Sequence, residues 1–82
     1  MQYEIVIDKI ALKFIQKQPP QQQQRILSAI KRLPAEGDIK AMRGYKGFFR
    51  LRVGDYRVIY TVDNNKLIIR VINVGNRGDV YK

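Results

Sequence analysis

The side chains of this protein best suited to chemistry are cationic and aromatic. Arg50, Arg52 and Arg57 fall within eight positions of one another, Arg77 follows a long apolar stretch, and Tyr81 stands beside the last residue given. Arg43 and Lys46 lie just upstream and extend the basic segment as candidate nucleic-acid contacts. A guanidinium presents a planar fork of N–H donors and stays charged at any working pH, so it matches phosphate oxygens two at a time. An exposed aromatic ring beside such a groove stacks unpaired bases. The chemistry on offer is therefore the holding of a phosphodiester and the stabilisation of charge that develops on it. Blander roles stay open residue by residue. A lone strand arginine is ordinarily a solvated surface group, and Tyr81 could equally anchor the terminus to a sheet. Three arginines on one small face, with a fourth in a strand-end loop, are harder to assign to solvation.

Other reaction classes are excluded by what is missing. The chain contains neither cysteine nor histidine, which removes the familiar nucleophile–histidine triads, thiolate zinc sites and the commonest metal ligand. Its seven acidic residues are scattered, with no close pair suited to two-carboxylate chemistry. No glycine-rich loop leads into a helix in the manner of a phosphate cradle. The expectation is a site with no metal and no cofactor.

The elements that must position these residues are legible from periodicity. Phe49, Leu51 and Val53 alternate with Arg50 and Arg52, the period-two signature of a strand. Gly54-Asp55 supplies a two-residue turn. The return strand places Tyr56, Val58, Tyr60 and Val62 on one face and Arg57, Ile59 and Thr61 on the other. Three guanidinium groups then crowd one side of a short hairpin, an arrangement that like-charge repulsion penalises and that a bound polyanion would compensate.

The rest of the chain reads as support. Gln2 to Ile7 predicts a first strand and Asp8 a helix N-cap. Ile10, Ala11, Phe14 and Ile15 recur at helical spacing until Pro19-Pro20 interrupts. The short glutamine run Gln21 to Gln24 reads as the solvated start of a second helix, whose core stripe is Ile26, Leu27, Ile30 and Leu33 before Pro34 ends it. Ala35 to Gly47 reads as irregular. Asp63-Asn64-Asn65 predicts a turn in which asparagine takes the left-handed conformation. Lys66 to Val74 is a near-continuous apolar, β-branched run that predicts a central strand, with Gly75-Asn76-Arg77-Gly78 breaking it. The expected fold is α+β, in the order β-α-α-β-β-β, a single domain over residues 1–82 with a helical hairpin packed on one face of a small, mainly antiparallel sheet. Phe14, Ile26, Ile30, Leu51, Val58, Tyr60 and Ile69 are the candidate core.

Charge points to the partner. The formal net charge is +9 over 82 residues. Residues 1–39 hold six Lys or Arg against four Asp or Glu, whereas residues 40–82 hold ten against three. A basic excess on the sheet-forming half is the footprint of a nucleic-acid binder. The absence of cysteine fits a reducing compartment, no apolar run reaches the roughly 20 residues a bilayer requires, and the N-terminus lacks the pattern of a signal peptide. A cytoplasmic protein without a membrane partner is expected.

Two stretches carry a resemblance that covers essentially the whole chain. Phe48-Phe49-Arg50-Leu51-Arg52-Val53-Gly54-Asp55-Tyr56-Arg57-Val58-Ile59-Tyr60, followed by Ile69-Arg70-Val71-Ile72-Asn73-Val74-Gly75-Asn76-Arg77-Gly78-Asp79-Val80-Tyr81, resembles the RelE family of bacterial toxins. The resemblance implies a ribosome-dependent endoribonuclease, an mRNA interferase that enters the A site and cleaves mRNA. It implies attack of a 2′-OH on the adjacent phosphate, giving a 2′,3′-cyclic phosphate and a 5′-OH end without a metal. It also implies a RelB-like antitoxin that wraps and neutralises the toxin, in a complex that binds operator DNA.

By position, Arg50 and Arg52 match two basic residues that are often lysines in relatives. Arg57 matches the arginine that stabilises phosphate charge, Arg77 the proposed general acid, and Tyr81 the tyrosine that stacks on or orients the substrate. Arginine essentially never gives up its proton, so Arg50 and Arg52 are assigned to electrostatic stabilisation and alignment, leaving Tyr81 as the candidate base. Asn76 stands where many relatives carry histidine and takes no acid–base role. The wider superfamily also contains ParE-like toxins, which inhibit DNA gyrase without nuclease activity. A ParE-like inhibitor is the alternative reading, and a plain RNA-binding module a third.

Overall fold

The structure, a computed structural model, describes residues 3–76. Seven elements follow one another: β1 Glu4–Ile7, α1 Lys9–Gln16, α2 Pro20–Lys31, β2 Asp38–Ala41, β3 Phe48–Val53, β4 Tyr56–Asp63 and β5 Ile68–Asn76. The α+β arrangement expected from the sequence is the one observed. The segment 35–47 is less irregular than its glycines imply, because β2 forms within it and becomes an edge of the sheet. The four residues Asp38-Ile39-Lys40-Ala41 hold only two apolar side chains and carry little periodic signal, so pairing to β3 defines that strand.

The strand order is β1-β5-β4-β3-β2, antiparallel throughout except for the parallel β1–β5 pair. The parallel pair is what the helices make possible, since a crossover must carry the chain back to the same end of the sheet. The apolar run of β5 is interior, as expected, although β4 occupies the middle of the sheet. A register shift at Ile59/Tyr60 pairs Ile59 with Asn73 but Tyr60 with Val71, so Ile72 is an extra residue in β5. This bulge explains why Val71 and Val74, three residues apart, are both buried in the core. β5 also runs on through Gly75 to Asn76, where the Gly-Asn pair signals a break. Pairing of Arg57 with Gly75 and of Tyr56 with Asn76 extends the ladder past that local preference.

α1 and α2 cover one face. Ala11 and Ile15 of α1, with Ile26, Ala29 and Ile30 of α2, pack on Leu51, Val58, Tyr60, Ile69 and Val71. Six of the seven candidate core residues are buried there, and Phe14 is partly buried against them. Ile10, although in helical phase with Ala11 and Phe14, is 73% exposed; an eight-residue helix on a five-stranded sheet buries a narrow stripe, and Ile10 lies outside it.

Polar contacts fix the helical hairpin. Pro20 opens α2 at its first turn, where a missing N–H has no consequence. Gln23, in the glutamine run, donates through Nε2 to the carbonyls of Gln16 (3.2 Å) and Gln18 (2.8 Å), which caps the end of α1. The Tyr56 hydroxyl donates to Gln18 Oε1 at 3.0 Å, and the Phe14 ring meets the Tyr56 ring edge-on at 6.1 Å, tying α1 to the start of β4.

Two local expectations change. Asp8 occupies the N-cap position of α1 without a side-chain cap; its carboxylate instead accepts from Arg70 Nε at 2.8 Å. The ion pair holds the Arg70 guanidinium more firmly protonated than usual. In the β4–β5 turn the left-handed residue is Leu67 (φ 56°), not an asparagine. Asp63 dictates that turn, its carboxylate accepting from the N–H groups of Asn65 and Lys66 at 3.0 Å each.

Candidate functional site

The face of the sheet away from the helices follows from the register. Leu51, Val53, Val58 and Tyr60 point into the core, so Arg50, Arg52 and Arg57 point the other way. The hairpin turns as expected. Val53 pairs with Tyr56, and Gly54 at φ 57° takes the first central position, which a side chain would resist. With the register set, Arg52 stands directly opposite Arg57 across β3 and β4. Arg50 stands between Lys40 of β2 and Ile59 of β4. Lys40 therefore joins the basic face through a strand that sequence reasoning did not find.

All three arginines are half-buried rather than freely solvated. The Nε atoms of Arg50 and Arg52 are buried with no hydrogen-bond partner among the described residues. Asp38, opposite Arg52, approaches its Nη1 at 3.8 Å, a long contact between side chains 35% and 59% exposed. At that distance and exposure the pair adds little stability. Arg50 has no acidic cross-strand neighbour: its β2 partner is Lys40. Buried donors on a cationic face, without internal partners, are groups that an oxyanion would satisfy.

Two depressions flank this face. Lys40, Ala41, Met42, Arg43, Tyr45 and Arg50 line an open groove of about 740 Å³. Arg43, singled out from sequence, thus lines the same groove as Arg50. Lys46, also singled out, is exposed in the same connection but does not line the groove. Tyr45 was not a candidate, yet it is 58% exposed, with its ring set edge-on to Phe48 at 6.4 Å. An aromatic within a glycine-flanked basic segment was the available signal. The second depression, about 220 Å³, lies between α2 and the tip of the hairpin and is lined in part by Arg25, Arg32 and Arg52. Arg77 and Tyr81, the remaining sequence candidates, lie outside the described residues.

A half-buried cationic face of this kind suits anion binding and charge stabilisation. Among the described residues there is no group of acidic side chains able to hold a metal ion. No helix of the described chain is long and apolar enough to cross a membrane.

Comparison with known proteins agrees with this architecture. Residues 3–81 match the family model described as the ParE toxin of type II toxin–antitoxin systems. The chain is 31% identical, over its whole length and 98% of the relative, to a Methanocaldococcus jannaschii protein named "Putative toxin RelE1". Among solved structures it resembles the toxin of the archaeal RelE–RelB complex from Pyrococcus horikoshii. That likeness has a TM-score of 0.79 at 28% identity and covers 98% of this chain and 100% of that one. It also resembles the isolated RelE toxin of E. coli, with a TM-score of 0.72 at 27% identity over 96% of this chain and 90% of that one. With the helical hairpin, the five-stranded sheet and the arginine-bearing hairpin all in place, the chain belongs to the RelE family of toxins of type II toxin–antitoxin systems.

Proposed function

We propose that this toxin is a ribosome-dependent mRNA endoribonuclease acting without a metal ion. The observation that carries the reading is the cationic triad: Arg52 directly opposite Arg57, with Arg50 on the same face beside Lys40. A non-enzymatic inhibitor has no evident need for three half-buried guanidinium groups placed where repulsion disfavours them.

The reaction that such a face suits is transesterification. The 2′-OH loses its proton, the O2′–P bond forms, the P–O5′ bond breaks, and the leaving oxygen takes up a proton. A 2′,3′-cyclic phosphate and a 5′-OH remain. Charge accumulates on the non-bridging oxygens at the pentacoordinate stage, and fixed guanidinium donors stabilise it there more than in the ground state. Arg50, Arg52 and Arg57 take that role and align the phosphate. Arg77 is assigned to the charge that develops on the leaving oxygen, which takes its proton from water, and Tyr81 to the 2′-OH proton and the stacked base. Arg43 and Lys46 are assigned to the RNA or ribosome surface around the A site.

The natural partner is a RelB-like antitoxin, as relatives are solved in RelE–RelB complexes. Neutralisation of a +9 surface by an acidic chain follows from complementarity. Operator binding by the toxin–antitoxin complex and a cytoplasmic location belong to the same reading.

The test is expression of Arg57→Ala and of Arg77→Ala, with primer extension on a translated mRNA. New 5′ ends with the parent chain, and none with either variant while both still fold and bind the antitoxin, support the reading. Full toxicity in both variants would show the site to be wrong. DNA damage with intact mRNA would mean a ParE-like gyrase inhibitor instead.

A further inference from the structure

Between β2 and β3 the chain makes two tight turns in succession. Tyr45 N–H donates to the Met42 carbonyl at 3.3 Å and Phe48 N–H to the Tyr45 carbonyl at 3.1 Å. Met42 N–H closes the connection by donating to the Phe48 carbonyl at 3.0 Å. Each turn has a glycine of positive φ at its third position, Gly44 at 82° and Gly47 at 84°, a conformation that such turns reserve for glycine. Tyr45 joins the two turns, so both of its main-chain polar groups are bound. Its side chain nevertheless lies outside the hydrophobic core, and among the described residues it is the one aromatic ring that is exposed.

We propose that Tyr45 is the stacking platform of a nucleobase subsite, which takes the base of a nucleotide whose phosphate meets Arg50 and prefers a purine. Three observations converge on it. Tyr45 and Arg50 line the same open groove, so an anion and a flat ring are received side by side. The groove beside the ring is apolar: Ala41 and Met42 line it there. Phe48, turned to the face of Arg50 because Phe49 packs inward, meets the Tyr45 ring edge-on at 6.4 Å and sets its tilt while the ring stays exposed. The charged side chains that line the groove, Lys40, Arg43 and Arg50, are hydrogen-bond donors only. They suit a base edge that accepts, such as N7 of either purine, and the larger purine face stacks more strongly.

RNA is favoured over an acidic peptide because of what lies together. A carboxylate-rich segment would satisfy Lys40, Arg43 and Arg50 but brings no planar face to the ring. A single strand supplies an anion and a ring in every nucleotide, the same pairing that the groove presents. The double turn adds preorganisation, since a ring on a fixed backbone loses little freedom when a base settles on it.

The inference rests on the RNA-directed reading for its ligand but is tested apart from cleavage. Aromatic ring resonances of the full-length chain are followed by NMR during titration with AMP, CMP and ribose 5-phosphate. The Tyr45 ring should shift and saturate with AMP, do so at lower affinity with CMP, and stay unmoved with ribose 5-phosphate, which carries the anion without a base. Binding of a short single-stranded RNA is then measured against salt. Tyr45→Ala should weaken it about tenfold, the value of one base–aromatic stack. The log–log salt slope should stay unchanged, because no phosphate contact is lost. Tyr45→Phe should bind like the parent chain, since the ring carries the contact. Equal shifts with ribose 5-phosphate, CMP binding as tightly as AMP, or shifts with a glutamate-rich peptide and not with AMP overturn the proposal even if mRNA is cleaved. Undiminished RNA binding by Tyr45→Ala, or an equal loss in Tyr45→Phe, does the same. Saturable, base-dependent shifts without any mRNA cleavage sustain it while removing the ribonuclease reading.

Discussion

Replacing Arg50 by glutamine should make the protein more stable and less active at once. Arg50 stands opposite Lys40 on β2 and Ile59 on β4, so its nearest cross-strand charge has the same sign. Directly opposed like charges on a sheet cost roughly 0.2–1 kcal/mol. Removing one should return about 0.5 kcal/mol, which for a domain of this size raises Tm by roughly 2–4 °C. The gain is electrostatic between partly exposed groups, so it should vanish in 1 M salt, where the Debye length is about 3 Å. Arg52→Gln supplies the contrast, because Arg52 faces Asp38 and its loss removes an attraction as well as a repulsion; no stability gain is expected. Activity should move the other way. One preorganised donor to a developing oxyanion is worth roughly a hundredfold or more in rate. Calorimetry of both variants at low and high salt, alongside primer extension on translated mRNA, checks each half. A lower melting temperature for Arg50→Gln at low salt would refute the charge argument. Undiminished cleavage would refute the assignment of Arg50 to the site.

Other consequences are confined to the fold. Ile30 is 1% exposed between α2 and the sheet, and Ile30→Ala should cost about 3 kcal/mol and lower Tm by roughly 15 °C. Against a total of about 5–15 kcal/mol for a small domain, chemical denaturation should show a large loss. Gly37 sits at φ 132°, and a Cβ there would stand 2.6 Å from Leu51 Cδ1. Gly37→Ala should therefore cost about 1–3 kcal/mol, read by the same denaturation, and the loss should shrink when Leu51 is shortened to valine. Burial pushes the Tyr60 phenol up to about 12. The unfolded chain then releases its proton first, so stability is complete below pH 10 and falls between pH 10 and 12, by up to about 2 kcal/mol. Urea midpoints across that range should fall less steeply for Tyr60→Phe than for the parent chain.

Much of the architecture was legible in the residues because it depends on local rules. Alternation in Phe49 to Val53 and Tyr56 to Tyr60, with Gly54 able to take a positive φ, specifies a hairpin and the face its arginines occupy. Pro19 and Pro20 divide two helices whose apolar stripes mark one covered face of a sheet. The absence of cysteine and histidine, and the excess of arginine, direct the expected chemistry toward phosphate binding before any contact is known.

What only the tertiary structure decided are relations between residues distant in the chain. β2 exists because β3 offers it a partner, and with it Lys40 arrives opposite Arg50. The bulge at Ile72 is set by pairing with β4, which no pattern within β5 reveals. Asp8 reads as a helix cap until Arg70, 62 positions away, takes its carboxylate. Arg25, Arg32 and Gly54 line one depression only because α2 packs beside the hairpin tip. Sequence periodicity reports which side of its own element a residue occupies. Which residues share a surface with it depends on register and packing across the sheet, and the arginine site is defined at that level.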